Sequence, residues 1–321
     1  MKICAACHED LPKESYSKKQ WKLDECQRRC KVCTANNREV QQQPQKQDDE
    51  ESNTGDIIKA LDSMYLKNID RKISDEELFK QPPPQYGDCP ICFIQIPTLH
   101  TGSRYKACCG KVICSSCSYA PVYDHQGNEV DDEKCAFCRT LKPATSEEAV
   151  GRSKKRVEVE DPLAIHRLGC FYADELYGYP QDYAKALKLW HRAGELGCSK
   201  AYNSIGFAYN DGEGVEVDKK KAVYYCYWEL AAVMGNTISR HNLGVEEENN
   251  DNYDRALRHY MIAAGSGDND SLTVIQRLYT YGRATKDDYM KALQSYQMYL
   301  GEIKSSQRDK AAATYENCRY Y

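Results

Sequence analysis

Seventeen of the 321 residues are cysteine, and thirteen of these precede residue 139. Most arrive as pairs with two residues between them: Cys4/Cys7, Cys30/Cys33, Cys89/Cys92, Cys114/Cys117 and Cys135/Cys138. That spacing puts two thiolates on one turn, where both reach a single metal ion, and zinc takes such thiolates in fours. A secreted disulfide framework is the competing use of dense cysteine. The opening MKICAACHEDL has no apolar core ahead of a small-residue cleavage site, and no stretch has the length of a transmembrane helix. A reducing compartment, cytoplasmic or nuclear, with zinc as the cofactor and no membrane partner is therefore the expectation. No Gly-rich phosphate loop and no nucleophile–histidine arrangement is found, so neither hydrolytic or redox catalysis nor a small-molecule substrate is expected.

The central cluster runs Cys89-Pro-Ile-Cys92, fifteen residues, Cys108-Cys109, four residues, Cys114-Ser-Ser-Cys117, seventeen residues, Cys135-Ala-Phe-Cys138. Eight donors at these spacings suit two tetrahedral sites. The order resembles RING domains of the all-cysteine kind, over residues 87–142. The resemblance implies that the first and third pairs (Cys89, Cys92, Cys114, Cys117) hold one zinc. The second and fourth (Cys108, Cys109, Cys135, Cys138) hold the other. Metal then replaces a core that so short a segment could not assemble. Cys108 and Cys109 are adjacent where family members have a spacer, which leaves His100 or His125 as an alternative ligand of the second site. The implied activity is that of a ubiquitin-protein ligase. Structural zinc has no open position, so such a ligase works by holding a ubiquitin-charged conjugating enzyme ready for amine attack, with no covalent intermediate of its own. Ile91 matches the apolar position that docks the conjugating enzyme. Arg139 matches the linchpin cation that bridges that enzyme and ubiquitin, a role suited to a planar five-donor guanidinium. Two departures count against activity: Ala136 stands where Pro is common, and no Trp lies between Cys117 and Cys135, leaving Tyr119 or Tyr123 as substitutes. A non-catalytic interaction scaffold is the alternative function.

In residues 1–40, Cys4, Cys7, Cys30 and Cys33 form a candidate four-cysteine site closing a loop of twenty-two residues. With Tyr16-Ser17-Lys18-Lys19-Gln20 and a basic closing pair, the segment resembles the Stc-type zinc-binding domain, whose known relatives act as adaptors in chromatin silencing. Three zinc ions per chain are thus expected, with Cys26 a spare thiol and His8 a surface residue. The basic side chains Lys18, Lys19, Lys22, Arg28, Arg29 and Lys31 alternate with Glu14, Asp24 and Glu25, and the net charge is −4. Nucleic acid is therefore not the expected partner.

The elements that must carry these clusters follow from composition. Only 41% of the chain is apolar and 29% is charged, which favours small modules over one large core. Residues 41–56, Gln-rich and then acidic, read as a disordered linker. Residues 57–86 read as short helical segments: Ile57, Ile58, Leu61, Met64, Tyr65 and Ile69 fall at helical spacing. Ser74 with Glu77 can cap a second helix, and Pro82–Pro83–Pro84 stops it. Residues 143–160, with the basic run Arg152-Ser153-Lys154-Lys155-Arg156, read as a charged linker.

Residues 161–305 repeat. Leu168-Gly169, Ile205-Gly206, Leu243-Gly244 and the weaker Leu278-Tyr279 recur at spacings of 37, 38 and 35. After each of the first three comes a Lys/Arg-Ala step, an aromatic, Ala and Gly, with two extra residues before Trp228 in the second; the fourth has Lys291-Ala292 and Tyr296, then Tyr299 and Ile303. Examples are Lys185-Ala186, Trp190, Ala193, Gly197 and Arg255-Ala256, Tyr260, Ala263, Gly267. One such helix pair cannot bury its own face, so copies must stack. The pattern resembles the Sel-one-like subfamily of tetratricopeptide-type repeats, and residues 306–321 read as a C-terminal capping helix. Cys170, Cys198, Cys226 and Cys318 are expected to be small buried apolar residues. The fold class is multidomain: small zinc-stabilised α+β fingers plus an all-α helical-repeat solenoid that recruits a substrate or partner protein.

Overall fold

The structure is a computed structural model. It describes residues 2–3, 10–11, 73–98, 100–120, 122–123, 129–130, 133–212 and 221–320, with backbone alone for 2–3, 10–11, 122–123, 129–130 and 221–226. The chain divides into two compact units, Met1–Thr54 and Gly55–Tyr321. Of the first, the described part is an antiparallel hairpin of β1 (Lys2–Ile3) and β2 (Asp10–Leu11), with Lys2 opposite Leu11. Cys4, Cys7, Cys26, Cys30, Cys33, the linker 41–56 and the helical stripe of residues 57–69 lie outside the described residues.

The second unit opens on a single turn of helix, α1 (Asp75–Leu78), capped as Ser74 predicts: its hydroxyl accepts the Glu77 N–H at 3.2 Å. A cysteine-rich module follows. Its frame is an antiparallel hairpin, β3 (Ser103–Lys106) with β4 (Lys111–Cys114), running into the short helix α2 (Ser115–Ser118). A second small hairpin, β5 (Val122–Tyr123) with β6 (Glu129–Val130), fills part of the long gap before Cys135. The buried centre of the module is Cys89, Ile96, Ile113, Cys114 and Cys117. Two aliphatic side chains are too little core for independent stability.

Residues 143–160 are not a linker. They contain the helix α3 (Ser146–Glu158), which carries Lys155 and Arg156 in its last turn and packs Val157 against the repeat core. The physical reason is local. Thr145 accepts the Glu148 N–H at 3.2 Å, Glu148 returns to the Ala144 N–H at 2.9 Å, and Glu148 pairs with Arg152 one turn on. Acidic residues in the first turn and basic residues in the last suit the helix dipole. The charge run is thus the wet face of a helix.

The repeats are antiparallel helix pairs: α4 (Pro162–Ala173) with α5 (Tyr183–Glu195), α6 (Ser199–Asp211) with α7 (Lys221–Val233), α8 (Thr237–Asn249) with α9 (Tyr253–Gly265), and α10 (Asn269–Thr280) with α11 (Lys286–Ile303). Glycine permits the close crossing within a pair. A Cβ on Gly169 would lie 2.5 Å from the Trp190 indole nitrogen, and one on Gly244 would lie 2.6 Å from the Tyr260 ring; Gly206 stands against Trp228 in the same way. The fourth pair departs from this as its sequence does. Tyr279 replaces the glycine and stacks on Tyr289 at 5.9 Å, and fully buried Ile303 replaces the terminating glycine, so α11 runs for 18 residues.

The cysteine-rich module is tied to the repeats along three lines. Residues 73–98 lie along the repeats. Leu78 is buried and Phe79 half-buried against Trp228, Ala232 and Leu243, and fully buried Arg240 donates to the Leu78 carbonyl. Asp75 pairs with Arg255 at 2.6 Å, Gln81 donates to Ser266 at 3.3 Å, and Gln85 donates to Ser199 at 3.1 Å. Tyr105 of β3 donates to Asp161 at 2.9 Å; Asp161 also pairs with Arg156 at 2.8 Å and caps α4. Finally α12 (Ser306–Thr314) and the 3-10 turn Glu316–Cys318 leave the last repeat and pack on α2. The expected C-terminal helix is present, but it covers the cysteine-rich module as well as ending the repeats.

Candidate metal centre

Each of two C-x-x-C pairs sits in the same backbone turn. In the first, the Phe93 N–H donates to the Cys89 carbonyl at 2.8 Å and the Cys89 N–H donates to Ile94 at 3.0 Å. In the second, the Arg139 N–H donates to the Cys135 carbonyl at 3.0 Å and the Cys135 N–H donates to Thr140 at 2.7 Å. Isolated bridges, Asp88 with Gln95 and Lys134 with Leu141, close the base of each. The turn aims both thiols of a pair to one side. The residue after the second cysteine is forced into left-handed conformation, with φ 56° at Phe93 and 63° at Arg139.

The other two ligand pairs come from the hairpin. Cys114 ends β4 and Cys117 lies in α2, one helical turn on, with the Cys117 N–H donating to Cys114 Sγ at 3.5 Å. Cys108 and Cys109 occupy the β3–β4 turn, where the Cys109 and Gly110 N–H groups both donate to Lys106 at 3.1 and 2.8 Å. Gly110 has φ 70°, and a Cβ there would run into the Arg156 guanidinium and the Asp161 carboxylate. The turn is thereby seated on the α3–α4 junction.

The result is two tetrads. The sulfurs of Cys89, Cys92, Cys114 and Cys117 lie within 4.8 Å of one another, and so do those of Cys108, Cys109, Cys135 and Cys138. A regular tetrahedron of thiolates at the zinc–sulfur distance of 2.3 Å has sulfurs about 3.8 Å apart. Cys92 and Cys114 stand at 3.8 Å, and Cys108 and Cys138 at 3.4 Å. The donor set and spacing therefore fit a closed four-thiolate metal site at both places. The tight turn brings the adjacent Cys108 and Cys109 to one point, whereas His100 is exposed in the 3-10 turn His100–Gly102 and belongs to neither tetrad; His125 lies outside the described residues.

The electrostatics within each tetrad are in conflict without a cation. Hydrogen bonds from Cys114 and Cys117 hold the Cys89 thiol far below the usual range, while those to Cys114 and Cys89 push Cys117 far above it. In the second tetrad the Thr140 hydroxyl brings Cys138 down to about 6, and burial raises Cys108 and Cys109. A divalent ion removes that conflict by favouring all four thiolates together. The repeat cysteines differ: burial raises Cys170 and Cys198 to about 11, as inert apolar thiols require. Cys198 and Cys318 are buried and Cys170 half-buried; the Cys226 side chain is outside the described residues.

The partner-facing residues that the sequence singles out have different surroundings. Ile91 is half-buried, packed on the module's small core. Arg139 is exposed. Phe93 was not singled out, yet it is the most exposed large apolar side chain among the described residues, at 79%. Its signal in the sequence is an aromatic directly after a ligand, with no periodicity to bury it. Ala136 packs inward against the first knuckle.

The Sel1 repeat family model matches residues 162–198 and 199–235, which are the first two helix pairs described above. No curated protein matches the chain. Among solved structures, a Sel1 repeat protein from Oxalobacter formigenes is 26% identical, with a TM-score of 0.43, over 49% of this chain and 65% of that one. A protective antigen of uropathogenic Escherichia coli, described as displaying an SLR fold, is 22% identical with a TM-score of 0.41, over 52% of this chain and 36% of its own length. An immunity protein from Pseudomonas aeruginosa is 19% identical with a TM-score of 0.30, over 51% of this chain and 79% of that one. The chain thus spans less than two thirds of the length of the first two. No described helix is long and apolar enough to cross a membrane. The helical region carries Sel1 repeats, with two cysteine tetrads in the module that precedes it.

Proposed function

We propose that the chain is a zinc-binding RING-type ubiquitin ligase, in which the cysteine-rich module positions a ubiquitin-charged conjugating enzyme and the Sel1 repeats recruit the protein to be modified. The observation that carries this is the pair Phe93 and Arg139. Each follows the second cysteine of a knuckle, and each holds a left-handed backbone that glycine would adopt freely. A non-glycine residue there costs on the order of 1–2 kcal/mol. Both side chains are exposed. One apolar and one cationic contact, on turns that a bound metal would hold in place, are what docking of a second protein requires. The repeats supply the other half, since a stacked solenoid offers an extended surface for protein partners.

The test is discharge of a ubiquitin-charged conjugating enzyme onto free lysine, across a panel of such enzymes. Wild type should accelerate discharge for at least one of them. Phe93→Ala, Ile91→Ala and Arg139→Ala should each slow it by about ten-fold or more with metal content unchanged. No acceleration by wild type over the whole panel would reject ligase activity.

A second reading, a non-catalytic scaffold, is favoured by a different observation. Tyr119, the aromatic that would stand in for the missing Trp, is engaged within the chain: Tyr315 lies at 5.7 Å, Asn317 donates to its hydroxyl at 3.2 Å, and Arg104 sits over its ring at 5.8 Å. A scaffold would form stable complexes through Phe93 without transferring ubiquitin.

A further inference from the structure

Arg308 is the one charged side chain of α12 that is fully buried, with 2% of its surface exposed. A buried guanidinium normally has a carboxylate for company, because an unpaired buried charge is strongly unfavourable. No carboxylate among the described residues pairs with Arg308. Its Nη1 donates to the Gln95 carbonyl at 2.8 Å and to Ile303 at 2.7 Å, and its Nη2 donates to Ile94 at 3.2 Å. Three carbonyls satisfy hydrogen bonds but bring no counter-charge. The remaining contact is Nη2 to Cys92 Sγ at 3.8 Å. From the preceding position on the same helix, Gln307 Nε2 reaches Cys117 Sγ, also at 3.8 Å. Two donors from α12 therefore meet two sulfurs of the first tetrad, more than 180 residues away in sequence.

The charge balance closes if the tetrad is loaded. Four thiolates around a divalent ion carry a net charge of about −2, whereas four neutral thiols carry none. The second tetrad has its own cation: Lys106, half-buried, lies within electrostatic reach of Cys108 and Cys135 and donates to Ser118 at 2.6 Å. It comes from β3, inside the module. Only the first tetrad draws its cation from the far end of the repeats.

We propose that Arg308 is the outer-shell charge partner of the metal bound by Cys89, Cys92, Cys114 and Cys117, so that metal at this site locks the C-terminal helix onto the cysteine-rich module. The inference rests on the metal-binding reading of that tetrad. The coupling runs both ways: the guanidinium retains the metal, and the metal retains α12, which otherwise buries an uncompensated cation. Arg308 is here a positioning residue, since it acts on the ion through the Cys92 sulfur.

The experiment uses the full chain as purified, with metal content measured first. Zinc release to a chromogenic chelator is then followed in wild type, Arg308→Met and Arg308→Lys. Arg308→Met should release one ion per chain about 10–100-fold faster than wild type while the others leave at the wild-type rate. Arg308→Lys, which keeps the charge and loses the fork, should fall between them. In a second arm, hydrogen exchange is read over residues 306–314. Cys92→Ser should remove the protection of this helix, and Cys138→Ser should leave it. The inference is overturned if Arg308→Met releases every ion at the wild-type rate, or if Cys92→Ser leaves residues 306–314 as protected as in wild type. The exchange arm stands even if Arg308→Met does not fold. A wild-type chain whose metal content is unchanged by Cys92→Ser instead overturns the metal reading itself.

Discussion

At the scale of residues, the sharpest question is whether two neighbouring cysteines can serve one metal. Cys108 and Cys109 occupy a reversing turn whose next residue, Gly110, is left-handed, and their sulfurs converge with those of Cys135 and Cys138. Replacing either Cys108 or Cys109 by Ser should therefore lower the zinc retained against a mild chelator by one ion per chain. His100→Ala should change nothing; loss of an ion in that variant, measured by elemental analysis, would put the histidine back among the ligands. The eight sulfurs were legible in the spacing, because thiolate pairs announce themselves by type and interval; their division into two sets was implied by the resemblance to all-cysteine RING domains. Arg308 was not. A charged residue in a polar C-terminal helix has no local mark of burial, and its partner lies 216 positions away. Phe93 escaped for a related reason: its left-handed backbone comes from the closure of the knuckle, which no single-residue propensity encodes.

At the scale of elements, glycine tests both the repeat packing and the helix where a linker was expected. Gly206 lies in α6 against the Trp228 indole, so Gly206→Ala must displace a buried ring and should cost about 1–3 kcal/mol in urea unfolding. Gly151 lies within α3, and nothing comes within 4 Å of a Cβ built there. Gly151→Ala should therefore stabilise by about 0.5–1 kcal/mol, as Ala does in an open helix interior. Opposite signs from the same substitution are the expected result; a neutral Gly151→Ala would mean that α3 contributes nothing to the folded state. The helix pairs themselves were readable, since Leu-Gly, aromatic and Ala-Ala landmarks are the packing surface written out in order. Helix α3 was harder to read because only Ala149, Val150 and Val157 of its thirteen residues are apolar. Its cap and its Glu148–Arg152 pair carry the signal, and a basic run obscures both.

At the scale of the whole second unit, finger and repeats share buried groups that titrate, and this gives the unit a pH dependence. His259 of α9 is fully buried under Phe79, with ring centroids 4.6 Å apart, and Arg240, Arg255 and Arg258 are its charged neighbours. Burial first, and then those three cations, bring its pKa down to about 3. His191 of α5 is buried beside Tyr227 and brought down to about 4 by burial alone. In the unfolded chain both return to about 6.5. Between those values the unfolded state binds more protons than the folded one, so stability is complete above about pH 6.5 and is lost as pH falls. Each histidine should remove roughly 2 kcal/mol between pH 7 and pH 5 at about 1.4 kcal/mol per pH unit. The measurement is the urea midpoint at pH 7, 6 and 5 in fixed excess zinc, which separates this effect from acid loss of metal. Burial brings His166 of α4 down to about 3 as well, so His259→Leu should remove about a third of the slope. It should also leave the protection factors of the amides of residues 75–79 unchanged on acidification, where those of wild type fall, because the charge that would expel Phe79 is gone. A full slope in His259→Leu would show that protonation is absorbed elsewhere, and that residues 73–98 are held by their ion pair and carbonyl contacts alone.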